Sequence, residues 1–189
     1  MARELSTKVK PRDRIIAAAA RLYLSDGIHP VSVDRLSEEA AVSKRSLYQH
    51  FDDKYDILHE MLETVGERKL AEYLPSEEDE TAPVDRILSV FDSVRELSKS
   101  PQFHGCPFVN VATELRDPTH PGSRSARRFK LLLRAFFERQ SERAGVADPA
   151  ATATHLTMLF DGACAYSVVQ GTPIPDTVRD AATALLGRV

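Results

Sequence analysis

The chain has no tryptophan, and only two cysteines and eight glycines among its 189 residues. Cys106 and Cys164 are too few for a disulfide framework, which fits a reducing compartment. No apolar run is long enough to span a bilayer, and no charged-then-apolar segment opens the sequence. The expectation is a cytoplasmic protein with no membrane partner. No stretch alternates apolar and polar residues for long, which removes strands as a main ingredient. Also missing are a glycine-rich phosphate loop, a nucleophile elbow and an HExxH pair. An enzyme on a helical scaffold therefore has no catalytic constellation to rest on, and no cofactor is expected.

What is present is helical period. Pro11 opens a first helix that Gly27 stops, with Ile15, Ala19, Leu22 and Tyr23 as its stripe. A helix from about Asp53 to Leu74 carries Ile57, Leu58, Met61, Leu62, Val65 and Tyr73 inward, with Gly66 inside it as a close-packing point or soft spot. Further helices are predicted over 83–100, 107–116, 122–143, from Asp148-Pro149 to Gln170, and from 176 to 187. Charge is uneven: residues 1–54 carry net +2, residues 55–100 net −7 and residues 101–189 net +2. An acidic middle would hold the body off a polyanion while the N-terminal part faces it. Arg3, Lys8 and Lys10 precede any apolar period and read as a basic arm.

The rest is organised around residues 31–54, VSVDRLSEEAAVSKRSLYQHFDDK. Ser32 caps a short helix in which Val33, Leu36 and Ala40 share a face. Ala41-Val42-Ser43 makes a turn, and Ser43 caps a second helix, KRSLYQHF. There Leu47 and Phe51 point one way. Lys44, Arg45, Ser46, Tyr48, Gln49 and His50 cover the rest with cations, hydroxyls, an amide and an imidazole. Such a face suits the major groove, where side chains donate to phosphates and read base edges. Helix, tight turn and polar second helix make a helix-turn-helix.

With Ile15-Ile16-Ala17-Ala18-Ala19 and Gly27 before it and Phe51-Asp52-Asp53-Lys54 after it, this stretch resembles the DNA-binding domain of the TetR/AcrR family of transcriptional regulators. Ala41 departs from the pattern, since the family usually has glycine there. A turn residue with φ > 0 costs alanine something. The second half is similar to a TetR-type ligand-binding domain through Gly105-Cys106-Pro107-Phe108-Val109-Asn110, Asp117-Pro118 with His120-Pro121, and Asp161-Gly162-Ala163.

The resemblance implies an all-α protein of about nine helices. Residues 1–54 would form a three-helix DNA-binding domain, and residues 55–189 a helical ligand-binding and dimerisation domain. It implies a homodimeric regulator, a repressor, on a pseudo-palindromic double-stranded operator, released by an unknown small-molecule effector. Lys44, Tyr48, His50 and Lys54 would hold phosphates, Arg45, Ser46 and Gln49 would face bases, and Ser32 and Ser43 would sit at the helix starts facing DNA. The pocket would draw on Phe103, Phe108, Asn110, Val111, Glu114, Met158, Asp161 and Tyr166. Gly162, Ala163, Cys164, Ala165 and Ser167 would let the 149–170 helix approach a partner copy closely.

Three other readings stay open. Cys106 before Pro107 can sit at a helix N-terminus, which favours a thiolate and a redox role. His104 and Cys106 with Glu114, His155 or Asp161 could be taken for a metal set, though strong zinc signals pair ligands at fixed spacing twice over. Control by a protein partner would need no pocket.

Overall fold

The computed structural model describes residues 9–76 and 80–187. Arg3 and Lys8 of the expected basic arm, and residues 77–79 of the acidic loop, lie outside them. Among the described residues the chain is helical throughout, with no strand. In order come α1 (Pro11–Asp26), α2 (Val33–Glu39), α3 (Lys44–Tyr48), α4 (Lys54–Ala71), α5 (Pro83–Leu97), α6 (Pro107–Leu115), α7 (Pro121–Arg143), α8 (Pro149–Gln170) and α9 (Thr177–Leu185). Proline stands at the first position of α1, α5, α6, α7 and α8. There its fixed φ suits the helix and its missing N–H would have had no partner anyway. The second helix of the helix-turn-helix ends at Tyr48, short of the expected Phe51, and α4 ends at Ala71 rather than Leu74.

The helices form two compact units. The first takes the chain up to Gly66 together with Asn110–Ala126, and the second takes Glu67–Val109 and the chain from Arg127 on. Three helices, α4, α6 and α7, are continuous across this division. The first unit thus takes in residues on both sides of the 1–54 stretch's end, up to Gly66, and Asn110–Ala126. The start of α4 is tied into it by Arg12, which pairs with Glu60, and by the Lys54 carbonyl, which accepts the Tyr23 hydroxyl at 2.9 Å. His59 Nδ1 and Ser125 Oγ, 2.9 Å apart, join the same stretch to the start of α7.

In the first unit α1 packs on α2 and α3, which pack on each other. Ile15, Ala18, Ala19, Leu36 and Leu47 are buried between them. Removing each large aliphatic side chain from water stabilises the unit by roughly 1.5–3 kcal/mol before conformational entropy is counted.

The second unit is built on ring contacts. Phe91 stacks on Phe137 with centroids 5.8 Å apart, and Phe108 on Phe129 at 4.9 Å. Tyr73 meets Phe160 edge-on at 5.1 Å. α9 packs on α5 and α8. Polar links add to that packing: Arg179 pairs with Asp92, Arg95 with Asp176, and the Ile174 amide donates to Ser98 Oγ at 2.8 Å. On α8, Leu156, Phe160, Cys164 and Ser167 form the buried stripe, at spacings of four, four and three. Asp148 caps its start, accepting from the Ala151 amide at 3.0 Å, and Gly171 ends it with φ 64°.

Among the described residues no helix is long and apolar enough to cross a membrane.

Candidate nucleic-acid interface

Two serines set the helix-turn-helix. Ser32 Oγ accepts from the Arg35 amide at 3.2 Å and Ser43 Oγ from the Ser46 amide at 3.1 Å, each satisfying a first-turn N–H that the helix leaves unpaired. Between them Ala41 adopts φ 51°, the left-handed conformation in which a Cβ is crowded. The turn is held there by the Ala41 amide on Glu38 O and the Val42 amide on Ser37 O, both at 3.0 Å. The turn thus has an alanine in the strained place.

α3 is anchored by Leu47, fully buried, and followed by Phe51, which lies under the Arg12 guanidinium with 5.8 Å to the ring centroid. Opposite that anchor Lys44, Arg45, Tyr48, Gln49 and His50 are exposed, Tyr48 by 55%, while Ser46 is half-buried. Lys44 pairs with Asp34 of α2, which raises its pKa. Among the described residues Arg45 has no ion pair, so its two-pronged donor is available to a base edge or phosphate.

Lys54, the first residue of α4, is half-buried. Its Nζ donates to the carbonyls of Ile28 and His29 at 3.2 and 3.3 Å and stands 5.4 Å from the Tyr55 ring centre. Asp53 accepts from the amides of Tyr55 and Asp56 at 2.7 and 2.8 Å and so caps the helix. Burial, then the charge of Asp53, pushes the Tyr23 phenol up, so it stays a hydrogen-bond donor.

One contact was not read from the sequence. Glu114 of α6 turns its carboxylate to the loop after α1. It accepts from the Ile28 amide at 2.8 and 3.0 Å and from the His29 amide at 2.6 Å. Gly27 makes room for it: φ is 83°, and a Cβ there would meet Glu114 Oε2 at 3.2 Å. Glu114, expected in a pocket wall, thus has its carboxylate on two backbone donors of this loop. The only local signal was Gly27, read simply as a helix stop.

The other expected pocket residues are scattered. Asn110 is exposed and Val111 buried in the first unit. In the second, Phe108 is buried against Phe129, Phe103 is half-buried, and Asp161 is ion-paired to Lys130 at 2.5 Å. Met158 and Tyr166 stand out from the chain, 66% and 50% exposed. They share a face of α8 with Gly162 and Val169, opposite its buried stripe. Nor do the described residues bring three His, Cys, Asp or Glu side chains together as metal ligands. Cys106 is buried at the start of α6, and burial raises its pKa against the lowering effects of Lys130 and the Val109 amide.

The sequence profile of the bacterial regulatory proteins of the TetR family matches residues 15–61, which hold all of α2 and α3. A crystal structure of a TetR-type transcriptional regulator from Streptomyces avermitilis superposes with a TM-score of 0.90 at 37% identity, covering 95% of this chain and 97% of that one. The chain belongs to the TetR family of transcriptional regulators. Its α2–α3 pair is the DNA-binding helix-turn-helix of a TetR regulator. Over 76 residues, 40% of this chain, it is 36% identical to the HTH-type transcriptional regulator HbdR of an Aromatoleum species. Over 108 residues, 52% of this chain, it is 29% identical to AcrR of Shigella flexneri. The chain spans 33% and 50% of those two relatives. These relatives are regulators rather than enzymes.

Proposed function

We propose that this TetR regulator is a homodimeric, cytoplasmic repressor that a small-molecule effector releases from a pseudo-palindromic operator. The observation that carries the dimer is the face of α8 bearing Met158, Gly162, Tyr166 and Val169. Val169 is 78% exposed, and Leu131 and Leu132 of α7 are exposed as well. Contiguous exposed apolar side chains mark an interaction surface. A two-fold axis through such a face pairs it with itself. Gly162 supports this, because nothing lies within 4 Å of where its Cβ would stand. The helix surface there is open for another helix to approach.

Two α3 helices related by that axis would enter successive major grooves, about 34–36 Å apart. Arg45, Ser46 and Gln49 would face bases, and Lys44, Tyr48, His50 and Lys54 the phosphates. An effector would act in the second unit, where Phe103, Phe108 and Asp161 are candidates to contact it. It can release DNA only by binding the DNA-free arrangement more tightly. Sedimentation of the free protein, followed by titration of the selected operator with candidate effectors, tests this. A monomer that binds single half-sites would overturn it.

A further inference from the structure

Glu114 lies far along the chain from the helix-turn-helix, and the family profile stops at residue 61. Yet two successive amides, Ile28 and His29, both donate to its carboxylate, while their carbonyls accept from Lys54 Nζ. Ile28 and His29, on the way from α1 to α2, are thus gripped between an anion from α6 and a cation from α4. His29 Nδ1 is 3.4 Å from the same carboxylate. Gly27, with φ 83° and no Cβ, lets the carboxylate reach the loop.

We infer that Glu114 is a positioning residue for operator binding: a latch by which α6 fixes the 27–29 loop and, through it, the entry into α2. The geometry gives the reason. A carboxylate accepting from two adjacent amides fixes the orientation of both peptide planes, and charge-assisted bonds are the stronger kind. With the loop fixed, Ser32 and the start of α2 are held relative to α1. Lys54, which opens α4 directly after α3 and Phe51, is held by the same peptides. Were α6 to withdraw, the amides would lose their acceptor and the loop would be free to move. A state with the latch closed then binds operator better, and operator binding must in turn favour the closed latch. The inference rests on α2 and α3 being the DNA-contacting elements.

The test is amide hydrogen exchange at Ile28 and His29, with and without the selected operator, in wild type, Glu114→Ala and Glu114→Gln. Specific binding by the wild type establishes the DNA-contact reading before either variant is judged. Glu114→Ala is expected to speed exchange at these two amides, and to weaken operator binding, by about tenfold each. Glu114→Gln keeps the side-chain volume and serves if the alanine variant fails to fold. It should fall between the two, with helical content unchanged. In wild type the operator should slow exchange at the two amides, an effect that a purely structural role would not produce. Unchanged exchange in the variants would overturn the inference. So would operator affinity within about twofold of wild type once the amides are released, or exchange in wild type that operator leaves unaltered.

Discussion

Lys54 Nζ lies 3.2 Å from the carbonyl oxygen of Ile28 and 3.3 Å from that of His29. An ammonium has three donors, and two are engaged by the loop, so a phosphate contact would use the third. The expected phosphate contact and the observed loop contact are therefore compatible. Lys54→Ala should weaken binding to all DNA alike and reduce the steepness of its salt dependence by roughly one unit per half-site. It should also destabilise the protein by about 1–2 kcal/mol through the lost charged hydrogen bonds. Urea unfolding and salt titration separate the two. Lower stability with an unchanged salt slope would leave Lys54 as a loop clamp alone.

Ala41 holds φ 51° in the turn between α2 and α3. The left-handed conformation costs an alanine about 1–2 kcal/mol, part of which glycine returns as greater freedom when unfolded. Ala41→Gly should raise stability by roughly 0.5–1 kcal/mol with operator preference unchanged, as read by chemical denaturation. A destabilised variant would mean that the alanine methyl makes packing contacts outweighing the strain.

Gly162 sits on the exposed apolar face of α8, with open space around its missing side chain. Gly162→Arg should therefore leave the single chain intact. Removing a helix-interior glycine even favours the helix by a few tenths of a kcal/mol or more. At a self-paired seam the same arginine would bury an unpaired charge and separate the copies. Light scattering should then report a monomer with full helical content. An unaltered dimer would place the seam elsewhere.

Burial is the largest cause raising the pKa of Cys106, Cys164, Tyr23 and Tyr73. Each is an acid whose charged form is disfavoured in the folded chain. The unfolded chain therefore releases these protons first as pH rises. The stability they contribute is full below their unfolded values and falls above about pH 9–10. Denaturation at pH 8 and pH 10.5 should show that fall, made shallower by Tyr73→Phe. A flat profile would contradict it. The same buried thiols should react slowly with thiol reagents until the protein is unfolded.

The helix-turn-helix was legible because its determinants are local. Ser32 and Ser43 cap amides three residues on, and Leu47 and Phe51 are four apart on one face. The first proline of α1, α5, α6 and α8 was equally legible, since its effect is confined to one turn. Glu114 was not legible, because its partners Ile28 and His29 are more than eighty residues away in sequence. Nothing in PFVNVATEL distinguishes a pocket wall from a carboxylate bound to a distant loop. The exposure of Met158 and Tyr166 was not legible for another reason. α8 carries large apolar residues on two faces, Leu156 and Phe160 on one, Met158, Tyr166 and Val169 on the other. Periodicity does not say which face is the chain's own core. The division after Gly66 followed from ties between α1, α4 and the start of α7 that only the fold brings together.

Two copies of α3 are proposed to read operator DNA about a two-fold axis. Selection of bound sequences from a random pool tests it most directly, performed on wild type and Arg45→Ala side by side. Wild type should enrich a pseudo-palindrome whose half-site centres are about 10 base pairs, or a multiple of that, apart. Arg45→Ala should relax preference at one position in each half-site, at a loss of about 1–3 kcal/mol on the preferred sequence. Enrichment of an asymmetric site, or identical preferences from the two proteins, would contradict the account.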